Sequence, residues 1–199
     1  MQELALPDDA DVRERLLEYL VLLEKWSQTR NLTSIRDLPS MVTGHLLDSL
    51  AAAPFLGGER ILDVGSGAGL PGLPLAITFP RLCVTLIESR KKRAQFLRHV
   101  IASLQLINVN IVCRRVEQYR PLEKFDTLIT RAFSGIPEFV AKAGHLCASG
   151  GRLIALKGRY PEAELAALDR NKIEFAEVHK LVVPGMKAQR HIVVLSCQR

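Results

Sequence analysis

The sequence has no hydrophobic run that could span a membrane, since none of its apolar stretches approaches the roughly 18 residues that such a helix needs. We also expect no secretory signal, because the chain starts Met1-Gln2-Glu3 and turns acidic at Asp8, where a signal would be basic and then apolar. Cysteine is scarce: the four residues lie 30, 34 and 50 positions apart, with no CxxC and no paired histidine spacing. These absences argue against a metal site and predict reduced core cysteines in a cytoplasmic protein.

The composition and charge describe an ordinary folded chain with an uneven charge distribution. Of 199 residues, 48% are hydrophobic and 24% are charged, which supports one domain with an appendage and excludes a disordered chain. The net charge is +6, but residues 1–60 hold 6 basic and 10 acidic side chains (−4), whereas residues 61–199 hold 21 and 11 (+10). A basic body indicates a polyanionic partner such as nucleic acid, although ordinary solubilising charge explains it equally well at this point.

The hydrophobic pattern changes near residue 60. Before it, apolar residues from Val12 to Leu23 recur with the helical period, and a second helix is expected over about 38–52. After it, short apolar strands alternate with helices, which predicts a parallel sheet covered by helices. The last two strand-like runs have no helix between them and should pair antiparallel. The sequence therefore predicts an α/β fold, with a helical extension over 1–58 and a domain over 59–199 whose mostly parallel seven-stranded sheet ends in an antiparallel hairpin.

A glycine-rich turn, Gly65-Ser66-Gly67-Ala68-Gly69, joins the first predicted strand to the next helix. Alternating glycines let the backbone approach a ligand closely, so a turn without a ligand is the less favoured interpretation. The pattern is not a dinucleotide fingerprint, because position 70 is Leu, and no GKS or GKT follows that would make a phosphate loop. Asp63 would repel a pyrophosphate but suits an ammonium group. We therefore predict S-adenosylmethionine (SAM) as the ligand, with Asp63 and Gly67 among its contacts.

Acidic residues follow the next two predicted strands. Glu88 ends the second strand about 20 residues after the glycine loop, where a carboxylate can accept both ribose hydroxyls of an adenosine. Val116 and Glu117 follow the third strand at the same edge of the sheet and are predicted to contact adenine. A surface position at a strand end remains open for Glu88, and a solvated loop position remains open for Glu117.

Several further segments form a specific set together with the glycine loop: DVGSGAGLPGLPLAI at 63–77, Lys25-Trp26, Asn31–Asp37, His45–Ser49, Lys92-Arg93, Phe96-Leu97, Arg131–Phe133, Leu156–Gly158 and Arg190-His191. In order and spacing, this set resembles the RsmG (GidB) family of bacterial 16S rRNA guanine-N7 methyltransferases. The resemblance runs from about residue 16 to the C-terminus. It implies the Rossmann-like fold of a class I SAM-dependent methyltransferase with an N-terminal helical extension. By motif match it also implies SAM contacts at Gly65, Leu70, Val116, Glu117 and Arg131.

A basic run, Arg90–Arg93, opens the helix after the second strand, with Ser89 as its predicted N-cap. Cations at a helix N-terminus interact unfavourably with the helix dipole, at a cost of about 0.3–1 kcal/mol each. Their placement here therefore indicates a role in binding rather than in helix stability. We predict that this run holds rRNA phosphates. The candidate RNA-binding residues are Arg90, Lys91, Lys92, Arg93, Lys157 and Arg190. For Lys157, a solvated position at the end of a strand is an equally acceptable interpretation. The acidic extension is expected to dock on the methyltransferase domain or to guard selectivity.

Arg131 ends the fourth strand and is the candidate for orienting the substrate, for contacting SAM, or for a structural salt bridge with Asp48 or Glu117. No residue is a certain catalytic group. Guanine N7 has an in-plane lone pair and no proton at neutral pH, so its methylation needs no general base. Alignment alone can supply up to about 7–11 kcal/mol. We expect a monomeric enzyme acting on 16S rRNA or a small-subunit particle. The alternatives are a SAM-dependent methyltransferase of a small molecule or protein, and a non-catalytic SAM- or RNA-binding module.

Overall fold

The computed structural model describes residues 7, 9–131, 133–169 and 173–197, leaving aside the side chains of 174, 175 and 197. The helices are α1 (Ala10–Arg30), α2 (Leu38–Met41), α3 (Asp48–Leu50), α4 (Gly72–Thr78), α5 (Lys91–Ser103), α6 (Ile136–Ala143) and α7 (Glu162–Ala166). The strands are β1 (Arg60–Val64), β2 (Cys83–Ile87), β3 (Val109–Val112), β4 (Phe125–Thr130), β5 (Cys147–Lys157), β6 (Ile173–Leu181) and β7 (Arg190–Cys197).

All seven strands form one sheet in the order β3-β2-β1-β4-β5-β7-β6. The first five strands pair in parallel, and β7 runs antiparallel to both β5 and β6. The predicted mostly parallel sheet with an antiparallel C-terminal hairpin is therefore confirmed. The chain order reverses between β1 and β4, and in sheets of this kind the crevice at that reversal, at the carboxyl ends of the strands, is where ligands bind.

The first helix is built into the same core as the sheet. Asp9 caps α1 by accepting a hydrogen bond from the Asp11 N–H at 2.8 Å, and the helix ends at Asn31, whose φ of 47° is left-handed. Leu16, Leu20 and other apolar residues of its inner face belong to one hydrophobic cluster with residues of β1, α4 and α5. The extension and the sheet thus share a core, and the boundary between residues 58 and 59 stays a prediction.

The second predicted helix, over about 38–52, is not one regular α-helix. It consists of α2, a π-helical turn over Val42–Leu47, and α3. Within the turn the Gly44 carbonyl accepts a hydrogen bond from Arg131 Nη1 at 3.0 Å, a partner that lies outside the helix. Such turns are rare and occur frequently at functional sites. Hydrophobic periodicity gave no sign of it, because one extra residue in a turn hardly changes the apolar pattern.

Two smaller sequence predictions need correction. Ser89 is not the N-cap of α5: that position is Arg90, which makes no side-chain cap bond, while Glu88 Oε1 accepts its N–H at 2.8 Å. The prediction of reduced core cysteines is wrong for Cys147, which is disulfide-bonded, and Cys83 is a free but exposed cysteine. The side chain of Cys197 lies outside the described residues. No helix in the described ranges combines the length and the apolar character that a membrane span needs.

Candidate functional site

A cavity of about 550 Å³ opens at the carboxyl edge of the sheet. The glycine loop forms one side, the segment Leu32–Ile35 and the π turn form another, and the ends of β4, β5 and β7 complete it. This volume is typical of small-molecule sites. Seven of the predicted site residues line it, namely Gly65, Gly67, Leu70, Arg93, Arg131, Lys157 and Arg190.

The glycine loop is fixed to β2 by backbone hydrogen bonds. The N–H groups of Gly65 and Ser66 both donate to the Ile87 carbonyl, at 2.9 and 3.2 Å. Gly67 has a φ of +58° and Gly69 a φ of +90°, and a Cβ at Gly69 would lie 2.3 Å from Leu73 Cδ1. These positions need glycine because other residues rarely adopt such φ values. The loop therefore exposes bare backbone to the cavity.

Glu88 is buried at the end of β2 and binds the loop directly. Its Oε2 accepts the Gly67 N–H at 3.1 Å and its Oε1 accepts the Arg90 N–H at 2.8 Å. Arg93 Nη1 lies 3.7 Å from the same carboxylate. An ionised carboxylate offers about four acceptor positions, so this one keeps capacity for the hydroxyls of a diol.

Asp63 lies beneath the glycine loop and is not among the residues that line the cavity. Its side chain is fully buried, and Oδ2 accepts the Gly72 N–H at 3.0 Å, while Oδ1 has no partner among the described residues. Burial raises the pKa of Asp63 to about 7, against the opposing hydrogen bond from Gly72. The structure places this carboxylate as a support for the loop, and contact with an ammonium group stays a prediction.

Asp48 joins two arginines at the cavity wall. Its buried carboxylate accepts a hydrogen bond from Arg190 Nε at 2.8 Å and lies 3.4 Å from Arg131 Nη1. Arg131 comes from the end of β4, Arg190 from the start of β7, and Asp48 from the first turn of α3. Of the two salt bridges left open for Arg131, the structure contains the one with Asp48. Glu117 pairs with Lys142 instead, at 3.3 Å.

His45, in the π turn, is buried against the same arginine. Its Nε2 lies 2.7 Å from Thr33 Oγ1 and its Nδ1 lies 3.0 Å from the Gly44 carbonyl and 3.4 Å from Arg131 Nη1. Burial, followed by the charge of Arg131, lowers the pKa of His45 to about 4, so the ring is neutral at pH 7. Both ring nitrogens are therefore engaged by the protein.

Lys157 ends β5 and is held by a carboxylate of α7. Its Nζ donates to Glu164 at 2.7 and 3.0 Å, and Glu164 also accepts the Ile136 N–H at 2.6 Å. Burial would raise the pKa of Glu164, but the bonds from Lys157 and Ile136 outweigh it and lower the pKa. The solvated strand end considered for Lys157 is thus replaced by an ion pair.

The remaining predicted residues lie around the cavity without lining it. Val116 is buried and Glu117 is half-exposed in a short 3-10 turn, Val116–Gln118, after β3. Arg90, Lys91 and Lys92 are exposed at the start of α5, whereas Arg93 turns inward towards Gly67. The basic run therefore divides into three outward residues and one cavity residue.

Sequence reasoning missed Tyr19 as a residue of the site. Its fully buried hydroxyl donates to the Ala68 carbonyl in the glycine loop at 2.9 Å, so α1 supports the loop from behind. It also treated His45 as one of several scattered histidines. The HLLDS segment of the family resemblance contains His45 and Asp48, and was the one available signal for them.

The residues present fit SAM and give no indication of a metal. The loop backbone, the cationic Arg131 and the buried Glu88 suit a ligand with an amino acid part and a ribose. Within the described ranges no group of three or more His, Cys, Asp or Glu side chains is placed to hold a metal ion.

Solved structures with the same fold include methyltransferases. A SAM-dependent methyltransferase from Aquifex aeolicus matches with a TM-score of 0.59 at 19% identity, covering 81% of this chain and 94% of that one. A predicted O-methyltransferase from Agrobacterium tumefaciens matches with a TM-score of 0.60 at 24% identity, covering 77% and 80%. The predicted class I fold is confirmed. The family that the sequence matches supports SAM as the cofactor, and the place of SAM in this cavity stays a prediction.

Sequence comparison identifies the family. The family model described as rRNA small subunit methyltransferase G (GidB) matches residues 12–193. A protein of that name from Methylobacillus flagellatus is 47% identical over 199 residues, covering 100% of this chain and 96% of the relative. Another, from Nitrosococcus oceani, is 50% identical over 184 residues, covering 92% and 86%. The chain therefore belongs to the GidB family of rRNA small subunit methyltransferase G proteins.

Proposed function

We propose that this protein transfers the methyl group of SAM to N7 of a specific guanine in 16S rRNA, without a general base. Its relatives are named rRNA small subunit methyltransferases, which supports the substrate class. The choice of N7 is supported by one feature of the cavity: none of its described titratable side chains is available as a proton acceptor.

Each titratable side chain that lines the cavity is a cation or is already engaged. His45 contacts Thr33 and Gly44 through its two ring nitrogens, and Asp48 holds two arginines. A hydroxyl or an exocyclic amine would have to lose a proton during methyl transfer, whereas guanine N7 attacks through a free lone pair. A cavity that can position the reactants but offers no base therefore suits guanine N7 better than a hydroxyl or an exocyclic amine.

SAM supplies an electrophilic methyl on a sulfonium, and the protein positions both reactants around it. We assign the glycine loop to the amino acid part of SAM, Glu88 to the ribose hydroxyls, and the Val116-Glu117 turn to the adenine. Arg131 stands at the strand end next to Gly65 in the cavity wall and is held by Asp48 and the Gly44 carbonyl. Its role is to orient the guanine or the SAM carboxylate, because such fixed geometry lowers the entropic barrier.

We further propose that the enzyme is a cytoplasmic monomer that acts on 16S rRNA or a small-subunit particle. Arg90, Lys91 and Lys92 are the proposed phosphate contacts. Arg93, Lys157 and Arg190 are bound to Glu88, Glu164 and Asp48 and belong to the cavity instead. Neutralising Arg93 should therefore weaken SAM binding, whereas neutralising Lys92 should not.

Mass spectrometry of 16S rRNA from cells with and without this gene tests the proposal. Cells that lack the gene should lose one N7-methylguanosine, and the wild-type gene should restore it. Arg131→Gln should restore it poorly, with kcat/KM about 100-fold lower in vitro, whereas Arg81→Gln, before β2 at the opposite edge of the sheet, should restore it fully. Unchanged N7-methylguanosine would contradict the proposal. Transfer to a small molecule or protein, or SAM binding without any transfer, would favour the corresponding alternative.

A further inference from the structure

The N-terminal extension is acidic overall, but the end of α1 and the segment after it are basic. The carboxylates of α1 lie mostly in its first half, at Asp11, Glu14 and Glu18, and Arg15 is paired with Asp11 there. From Lys25 to Arg36 the sequence contains three cations and no carboxylate. The net charge of −4 for residues 1–60 is thus an average over two ends of opposite sign.

Trp26 packs this basic end of α1 against the middle of α5. Its ring lies 5.5 Å from the ring of Phe96 and 5.4 Å from that of His99, and the Arg30 guanidinium lies 6.0 Å above it. Lys92 precedes Phe96 by one helical turn and therefore lies on the same side of α5. Arg30, which follows Trp26 by one turn of α1, and Lys92 are both exposed.

The same surface borders the cavity on both sides. Leu32–Ile35, just after Arg30, line the cavity wall, and so does Arg93, the neighbour of Lys92. If an RNA strand placed its target base in the cavity, the phosphates of the flanking nucleotides would lie near Arg30 and Lys92. Arg36 stabilises the chain around Arg30, because its guanidinium donates to the Ser27 carbonyl at 3.1 Å and to Asn31 Oδ1 at 3.2 Å, at the end of α1.

Distance keeps the acidic half of α1 from opposing such binding. Glu18, the nearest of the three carboxylates in that half, is separated from Arg30 by about 18 Å along the helix at 1.5 Å per residue. The Debye length is about 8 Å at physiological ionic strength, so phosphates at Arg30 do not feel those exposed carboxylates. Glu24 is closer, about 9 Å from Arg30 along the helix, and its charge offsets part of the attraction there.

We propose that Arg30 and Lys92 form one phosphate-binding surface, arranged around Trp26, that holds the RNA backbone flanking the target nucleotide. This inference rests on the proposed function and extends the RNA contact from α5 onto the extension. The extension then takes part in holding the substrate, in addition to the docking or guarding role expected from its net charge.

The test compares two double variants that each remove one arginine and one lysine. Arg30→Gln with Lys92→Gln alters the proposed surface, and Arg81→Gln with Lys124→Gln alters exposed cations that precede β2 and β4, at the opposite edge. Binding of transcribed 16S rRNA is measured from 50 to 200 mM salt. The first variant should lower the slope of log K against log salt by about 1.4–1.8, since each phosphate contact contributes about 0.7–0.9.

Steady-state kinetics and SAM titration complete the test. The Arg30/Lys92 variant should raise KM for RNA and leave kcat at saturating RNA and the Kd for SAM unchanged. Equal salt slopes in the two double variants, or a loss of SAM affinity in the first, would overturn the inference while N7 methylation by the wild type still stands. Absence of N7 methylation by the wild type would instead overturn the proposed function.

Discussion

Replacing Asp48 with Asn should destabilise the protein and disorder the cavity wall. The change keeps the shape of the side chain but removes the charge that faces Arg131 and Arg190. Charge-assisted hydrogen bonds contribute about 1.5–3 kcal/mol each. The Arg190 bond, at 2.8 Å, counts fully, and the Arg131 contact, at 3.4 Å, counts for less.

Solvent access limits the effect. The two arginine side chains are 23% and 26% exposed, so water reaches them and the loss stays below the about 3–5 kcal/mol of a fully buried pair. We expect a loss of about 2–3 kcal/mol in the free energy of unfolding. For a chain of this length, that lowers Tm by about 4–12 °C.

Thermal unfolding followed by circular dichroism measures the effect, and Asp11→Asn is the control. Asp11 pairs with Arg15 at 2.9 Å, but the two side chains are 68% and 42% exposed, so its loss should cost under about 1 kcal/mol. Adding Arg190→Gln to Asp48→Asn should reveal a coupling of about 1–2 kcal/mol in a double-mutant cycle. If Asp48→Asn lowers Tm no more than Asp11→Asn does, the reasoning about this cluster is wrong.

Three further predictions concern the glycine loop and its supports. Tyr19→Phe leaves the Ala68 carbonyl without its donor, so urea unfolding should show a loss of about 1–3 kcal/mol and titration a weaker affinity for SAM, effects that the exposed Tyr160→Phe should lack. Gly72→Ala should cost about 1–3 kcal/mol, because its Cβ would lie 2.4 Å from Leu86 Cδ2, whereas Gly135→Ala, with nothing nearer than 3.6 Å, should be tolerated. Stability should vary little from about pH 4 to 6.5, because burial lowers the pKa of His45 to about 4 and raises that of Asp63 to about 7. In that range His45 is protonated only in the unfolded chain, so its contribution to stability rises with pH. Asp63 is protonated only in the folded chain, so its contribution falls with pH, and the two slopes cancel. In Asp63→Asn only the histidine slope remains, and stability should rise by about 1.4 kcal/mol per pH unit; a flat profile in that variant would contradict the assignment.

The parts of the site that follow local rules could be predicted from the sequence. A strand, a glycine turn and a helix are adjacent in the chain, so the position of Gly67 at the cavity follows from the local pattern, while Gly65 and Leu70 were expected from the family motif. The carboxyl ends of parallel strands meet at one edge, which is why the sequence could place Glu88 beside the glycine loop and Arg131 at the cavity, while their contacts with a ligand stay predictions.

Contacts between distant segments could not be predicted in the same way. Asp48 and Arg190 are 142 positions apart, and Tyr19 and Ala68 are 49 apart, with no periodic signal linking either pair. For Arg131, two carboxylates were equally acceptable partners until the fold placed Asp48 beside it. Lys157 is comparable, because its partner Glu164 lies on a five-residue helix whose packing no local pattern specifies.

The π turn over Val42–Leu47 makes the site sensitive to the number of residues in its helix as well as to their kind. A π turn holds one residue more than the α-helical path it replaces. Deleting one residue there would restore regular winding, but it would rotate α2 and everything before it by about 100° relative to α3. Thr33 and Asp48 would then no longer face the same space. Insertions and deletions in this segment should therefore be far less acceptable to the protein than substitutions at the same positions.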